Sequence, residues 1–249
     1  MNLSNLLGLG LVVIFFLVMV TYATLSRKRP KGSWREISAF SRLGRSIGLA
    51  VEAGKRLHIS LGHGSLNGLQ AGSAFVGLSV LQRIARVASI SDSPPVATSG
   101  EGVLGILSQD TQKSTYQAIG SSNLYDPASG QITGLTPFSF AAGTLPVIFD
   151  QNVAANVLAG HFGSEVALIT EAGERNGSLT LAGSDNLTAQ AVLYAAAQEP
   201  LIGEELYASG AYIQAGNMHN ASLKTQDLMR WIVILAILAG AALKMTGVL

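Results

Sequence analysis

The sequence predicts an α/β fold, a mainly parallel sheet domain with a β-hairpin, flanked by N- and C-terminal transmembrane helices. Three observations predict it. Short apolar runs alternate with longer segments of helical period, the pattern of βα units. The stretch 57–89 passes from an apolar strand through a glycine-rich loop into a long apolar helix. Both ends of the chain are long apolar runs.

The first run, 6–25, is twenty residues without a charge, about the length that crosses hydrocarbon. No Lys or Arg precedes it, and Arg27, Lys28, Arg29, Lys31 and Arg35 follow it. That order marks an uncleaved anchor with its basic flank in the cytoplasm, since a signal peptide carries its positive charge ahead of the apolar core. At the other end, 228–249 is apolar apart from Arg230 and Lys244, with Arg230 and Trp231 suited to an interface. Two crossings put both termini outside and the centre in the cytoplasm. An interfacial helix is the alternative for the second segment. The expected organisation is an anchor over 1–26, a basic linker over 27–37, an α/β domain over 38–216, a linker over 217–227 and a helix over 228–249.

Within the domain, Phe40, Leu43, Ile47, Ala50 and Val51 recur at helical spacing and predict a helix over 38–56. A strand over 57–61 and a helix over 69–89 follow. Ser91-Asp-Ser-Pro-Pro breaks the chain, 96–98 reads as a brief strand, and a helix opens at Ser99-Gly-Glu-Gly. The stretch 132–141 reads as strand or extended coil. A buried strand is expected over 145–149, with Asp150 capping a helix over 151–159. Strands over 165–170 and 178–182, joined through Asn176-Gly177, read as the hairpin. Pro200 divides two closing helices, 187–198 and 203–214.

Charge and composition bound the function. Only 12% of the 249 residues are charged, against roughly 25% in a typical soluble domain. The absence of cysteine excludes disulfides and thiolate metal sites. The net charge of +1 hides an asymmetry. From Arg27 to Arg86, eleven Lys or Arg face two acids, a balance of +9; from Asp92 to Asp227, three face thirteen, a balance of −10. A basic half beside a membrane segment suits anionic headgroups. An acidic half, and basic residues without interleaved aromatics, argue against nucleic acid.

The loop Gly62-His-Gly-Ser-Leu-Asn-Gly supplies the candidate site. Backbone N–H groups between a strand and a helix N-terminus can bind an anion, and glycine lets a phosphate approach. The candidate ligand-binding residues are Gly62, His63, Gly64, Ser65, Asn67 and Gly68. Ser99, Gly100, Glu101 and Asp150 join them if the following strands are parallel, because ligands of open α/β sheets bind at the carboxyl edge. The spacing matches no phosphate-loop fingerprint, and the same glycines also serve a tight turn. The four histidines have no zinc-site spacing. No catalytic residue, metal or cofactor is predicted.

The anchor, the basic linker, LHISLGHGSLNGLQAGSAFVGLSVLQRIARVA and SDSPPVATSGEGVLGILSQDTQ together resemble an uncharacterised family of prokaryotic membrane proteins, known as a domain of unknown function. The resemblance implies a membrane protein with a cytoplasmic domain and supplies no activity.

Three roles are expected from these residues. The first is a membrane-tethered domain that self-associates as a homo-oligomeric scaffold, with the lipid bilayer as its other partner. The second is a module that binds a small anionic ligand or nucleotide at the glycine loops. The third is a hydrolase using His63 and Ser65.

Overall fold

The computed structural model describes residues 3–25, 34–91 and 93–246. The basic residues Arg27, Lys28, Arg29 and Lys31 lie outside the described residues. The chain divides into two compact units, Arg35–Ala215 and the paired ends Met1–Trp34 with Gly216–Leu249.

In the unit formed by the ends, α1 (Leu3–Leu25) packs against α9 (Asn217–Met245). Gly8–Leu25 and Asn217–Met245 are long and apolar enough to cross a membrane. Their large side chains, among them Leu9, Phe16, Ile232, Leu235 and Leu238, are exposed within this chain. Residues 217–227, expected as a linker, are the first turns of α9 rather than an irregular segment.

The other unit is a six-stranded sheet in the order β3-β2-β1-β4-β5-β6. Its strands are β1 (Arg56–Gly62), β2 (Val96–Ser99), β3 (Gly130–Ile132), β4 (Val153–His161), β5 (Leu179–Ser184) and β6 (Glu199–Leu201). Every neighbouring pair is parallel. The helices are α2 (Ser38–Glu52), α3 (Ala71–Ala88), α4 (Gly102–Ala118), α5 (Pro137–Asp150), α6 (Val166–Arg175), α7 (Leu187–Ala196) and α8 (Glu205–Tyr212). The α/β class is as the sequence predicts; the all-parallel sheet leaves no hairpin.

The missing hairpin has a local cause. In 165–177, Val166, Ile169, Thr170 and Gly173 are buried at helical spacing, so the segment is α6. Asn176-Gly177 ends that helix instead of turning a hairpin. Gly177 has φ +67°, its N–H reaches the Glu174 carbonyl, and the Ser178 N–H reaches the Gly173 carbonyl. That is a Schellman stop.

A second correction exchanges strand and helix over 145–159. Thr136 and Ser139 form a capping box, with Pro137 at the first helical position, so α5 runs on through Pro146 to Asp150. The alanine-rich 153–161 is β4, central and buried on both faces. Ala155, Val157 and Ala159 face one layer while Leu158 faces the other. Packing on two sides overrides alanine's helix preference. Pro200 lies in β6 at the sheet edge, where its missing N–H costs no ladder bond.

Leu57, Ile59, Leu61, Val157 and Leu181 form the core under α2, α3 and α8. Leu158, Phe162 and Ala182 pack with Phe140, Ile148, Ile169 and Leu193 of α5, α6 and α7 on the other face. That second face also buries a polar row. His58 Nδ1 lies 2.6 Å from Asn156 Oδ1, and His58 Nε2 lies 2.9 Å from Thr98 Oγ1. Complete burial, offset in part by the Asn156 bond, pushes the His58 imidazole down to about 4.

Candidate functional site

The strand order turns back between β1 and β4. The carboxyl edge at such a switch point is where an open α/β sheet leaves a crevice. β1 ends there in Gly62-His63, β4 in His161 and β5 in Ser184-Asp185.

Glycine makes the strand ends meet. Gly62 pairs with His161 and has φ +72°; a Cβ on it would stand 2.1 Å from the His161 carbonyl oxygen. The His63 N–H donates to that same carbonyl at 3.0 Å. A Cβ on Gly64 would lie 2.8 Å from the His161 Cβ, and one on Gly100 would lie 2.7 Å from the His63 Cβ. The small residues that read as phosphate-loop candidates therefore bring two imidazoles together.

Each imidazole is turned by its own carboxylate. His63 Nε2 is 2.9 Å from Glu165 Oε1, which also accepts the Gly163 N–H at 2.7 Å. Glu165 is 2% exposed. A Cβ at 163 would fall 2.5 Å from Glu165 Oε2, so a side chain there would have to displace that carboxylate. His161 Nδ1 is 2.7 Å from Asp185 Oδ1, and the Ser73 hydroxyl donates to Asp185 Oδ2 at 2.8 Å. The two rings meet edge to face with centroids 5.3 Å apart, and Phe140 closes on His63 at 6.3 Å.

The network assigns the tautomers. The Ser65 N–H donates to Gln70 Oε1 at 3.2 Å, which turns Gln70 Nε2 toward His161 Nε2, also at 3.2 Å. An amide nitrogen only donates, so His161 Nε2 accepts and the ring proton sits on Nδ1 against Asp185. In His63 the proton sits on Nε2 against Glu165. His63 Nδ1 keeps its lone pair and has no hydrogen-bond partner among the described residues. A carboxylate behind an imidazole fixes its orientation, which leaves His63 Nδ1 as a hydrogen-bond acceptor for a bound group. Tyr207, beside Gly72, borders the same crevice; partial burial and the nearby Asp185 charge raise its hydroxyl above the usual tyrosine range.

The remaining candidates divide. Ser65 Oγ accepts the Asn67 N–H at 3.3 Å and makes no hydrogen bond to His63 among the described residues, so no nucleophile pair forms. The Gly68 carbonyl caps the approach to α3 by accepting the Ala71 N–H. The loop after β2 lies beside the first, its Gly100 N–H on the Gly62 carbonyl at 2.8 Å. Its polar groups are spent internally: Ser99 Oγ lies near the Glu101 and Gln131 carbonyls, and Glu101 caps α4 through the Leu104 N–H. Asp150 is a correction. It ends α5 at the opposite edge of the sheet, where Arg56, Gln151 and Asn152 share its depression of about 420 Å³.

His161, Glu165, Asp185, Gln70 and Ser73 escaped sequence reasoning. Reading 151–159 as helix and 165–170 as strand put His161 after a helix and Glu165 at the start of a strand, where neither reaches the carboxyl edge of the sheet. Among the described residues no group of three or more His, Cys, Asp or Glu is placed to hold a metal ion.

No curated protein and no solved structure matches the chain. One family model matches residues 2–249, almost the whole length. The chain belongs to the family described as domain of unknown function DUF6754.

Proposed function

We propose that this protein is a membrane-tethered binding module that takes a small anionic ligand, a nucleotide or a similar acid, in the crevice between β1 and β4. The observation that carries this reading is the convergence of His63, His161 and Gln70 on the carboxyl edge beside the N-terminus of α3. Glu165 and Asp185 are committed to imidazole, amide and hydroxyl donors. The groups left to meet a ligand are His63 Nδ1, the second N–H of the Gln70 amide and helix N–H groups. A hydroxyl or acid O–H on the ligand can donate to His63 Nδ1, while the amide and helix N–H groups donate to its anionic oxygens.

Two apolar helices support the membrane part, and the basic flank after α1 supports a cytoplasmic domain with both termini outside. An impermeant label that reached Lys113 from outside intact cells would refute that orientation. For the site, thermal unfolding of the full chain is followed against nucleotides and anionic metabolites. A ligand at about 100 times its Kd adds about 2.7 kcal/mol, and His161→Ala should remove the gain. No shift across the panel, or equal shifts in His161→Ala, would refute the reading.

Self-association is the second reading, favoured by exposed apolar side chains in the loops and first turns that leave the same edge. Leu69, Val103, Leu135, Phe138 and Leu187 all lie there. Such side chains around a crevice suit a contact between copies. Crosslinking in nanodiscs tests it, and a clean monomer at micromolar concentration excludes it.

A further inference from the structure

We propose a second ligand site in the domain, a cleft between α2, α3 and the end of α8 that binds a free single-tailed carboxylate, a fatty acid. The cleft holds about 320 Å³ and is walled by Phe40, Leu43, Ile47, Ile84 and Val87, with Tyr212 stacked on Phe40 at 5.0 Å. That volume lies in the range of small-ligand pockets.

Arg83 is the one charged residue in its lining. Arg83 Nε donates to the Ile213 carbonyl at 2.8 Å, which fixes the guanidinium plane. Its two terminal nitrogens make no hydrogen bond or ion pair among the described residues. A half-buried fork of donors above apolar walls, with no acid in the lining, calls for a carboxylate.

The second observation is independent. Gln214 lines the same cleft and has φ +60°, a left-handed conformation that favours glycine. It occupies the glycine position of a Schellman stop: its N–H meets the Ala211 carbonyl, and the Ala215 N–H meets the Gly210 carbonyl. A strained glutamine where glycine fits better places a polar side chain at the mouth of the cleft. Strain retained at such a point is characteristic of binding sites. One tail with one acidic head suits this volume and single cation; a two-tailed phospholipid does not.

The test uses the full chain in phosphatidylcholine nanodiscs, illuminated with a diazirine-bearing dodecanoic acid, with adducts mapped by mass spectrometry. Adducts are expected within 40–47, 83–87 or 212–214, suppressed by excess dodecanoate and not by dodecanol or acetate. Arg83→Gln should cut their yield roughly tenfold, the worth of one charge-assisted bond. Ile47→Trp fills the cleft, leaves Arg83 in place and should abolish them, so a folding defect in either variant leaves the other decisive. Gln214→Gly should melt about 2–4 °C higher and label more weakly. Labelling confined to α1 and α9, equal suppression by dodecanol, or full yield in a folded variant overturns the proposal. So does suppression by phosphatidylglycerol in the disc, which would give the cleft to bilayer lipid.

Discussion

His63 and His161 stand edge to face, ring centroids 5.3 Å apart, and their ring protons sit on different nitrogens. Glu165 draws the His63 proton to Nε2; Asp185 draws the His161 proton to Nδ1. Long-range ¹H–¹⁵N spectra of the imidazoles should show one tautomer of each kind. In Glu165→Gln the amide oxygen can take the Oε1 position, which accepts both the Gly163 N–H and the His63 Nε2–H, so the His63 proton should stay on Nε2. Losing the charged acceptor should also cost about 1–2 kcal/mol of stability. A His63 proton on Nδ1 in the parent, or one that moves there in this variant, would contradict the assignment.

His58 makes the sheet acid-sensitive. Its pKa is about 4 in the fold against 6.5 in the unfolded chain. Between those values the unfolded state binds the extra proton, so stability rises with pH across the window. The contribution is complete above about pH 6.5 and is lost as pH falls toward 4, roughly 3 kcal/mol in all. His58→Gln should flatten that part of the acid limb in urea titrations. An acid limb identical to that of the parent would show that carboxylates alone set it.

The glycines at the strand crossing should tolerate no side chain. A Cβ on Gly160 would sit 2.0 Å from the Leu61 carbonyl oxygen, so Gly160→Ala must part β1 from β4. A loss of about 3 kcal/mol or more is expected, of the order seen for overpacked cores. Chemical denaturation measures it, and a loss under 1 kcal/mol would mean the strands separate freely.

Gly48 should behave in the opposite way. It lies inside α2 with nothing within 4 Å of an added Cβ. Gly48→Ala should therefore stabilise the domain by about 0.5–1 kcal/mol through helix propensity. Destabilisation would point to a neighbour on that face.

Removing the cap of α5 should loosen the helix without touching the crevice. Thr136 Oγ1 accepts the Ser139 N–H, and Thr136→Ala should cost about 1 kcal/mol. The His63 and His161 ring signals should stay in place; their movement would tie the cap to the site.

Local chemistry was legible where the chain carries its own instructions. The helical spacing of α2 and α3, the breaker at Pro94-Pro95 and the short β2 follow from patterns a few residues long. His63 was legible for the same reason, because its loop announces itself with glycine. The partners of His63 were not. Glu165 is distant in sequence, and its carboxylate comes home only when β4 lies beside β1.

By itself the sequence determined the apolar ends, the α/β class and the one loop that opens the sheet, since each rests on periodicity or composition within a short window. Tertiary structure alone decided that 153–161 is a strand, that Asn176-Gly177 stops a helix, and that two histidines share a crevice. The physical reason is common to all three. A segment's conformation is settled by the faces it buries, and a side chain's chemistry by the neighbours that packing brings to it.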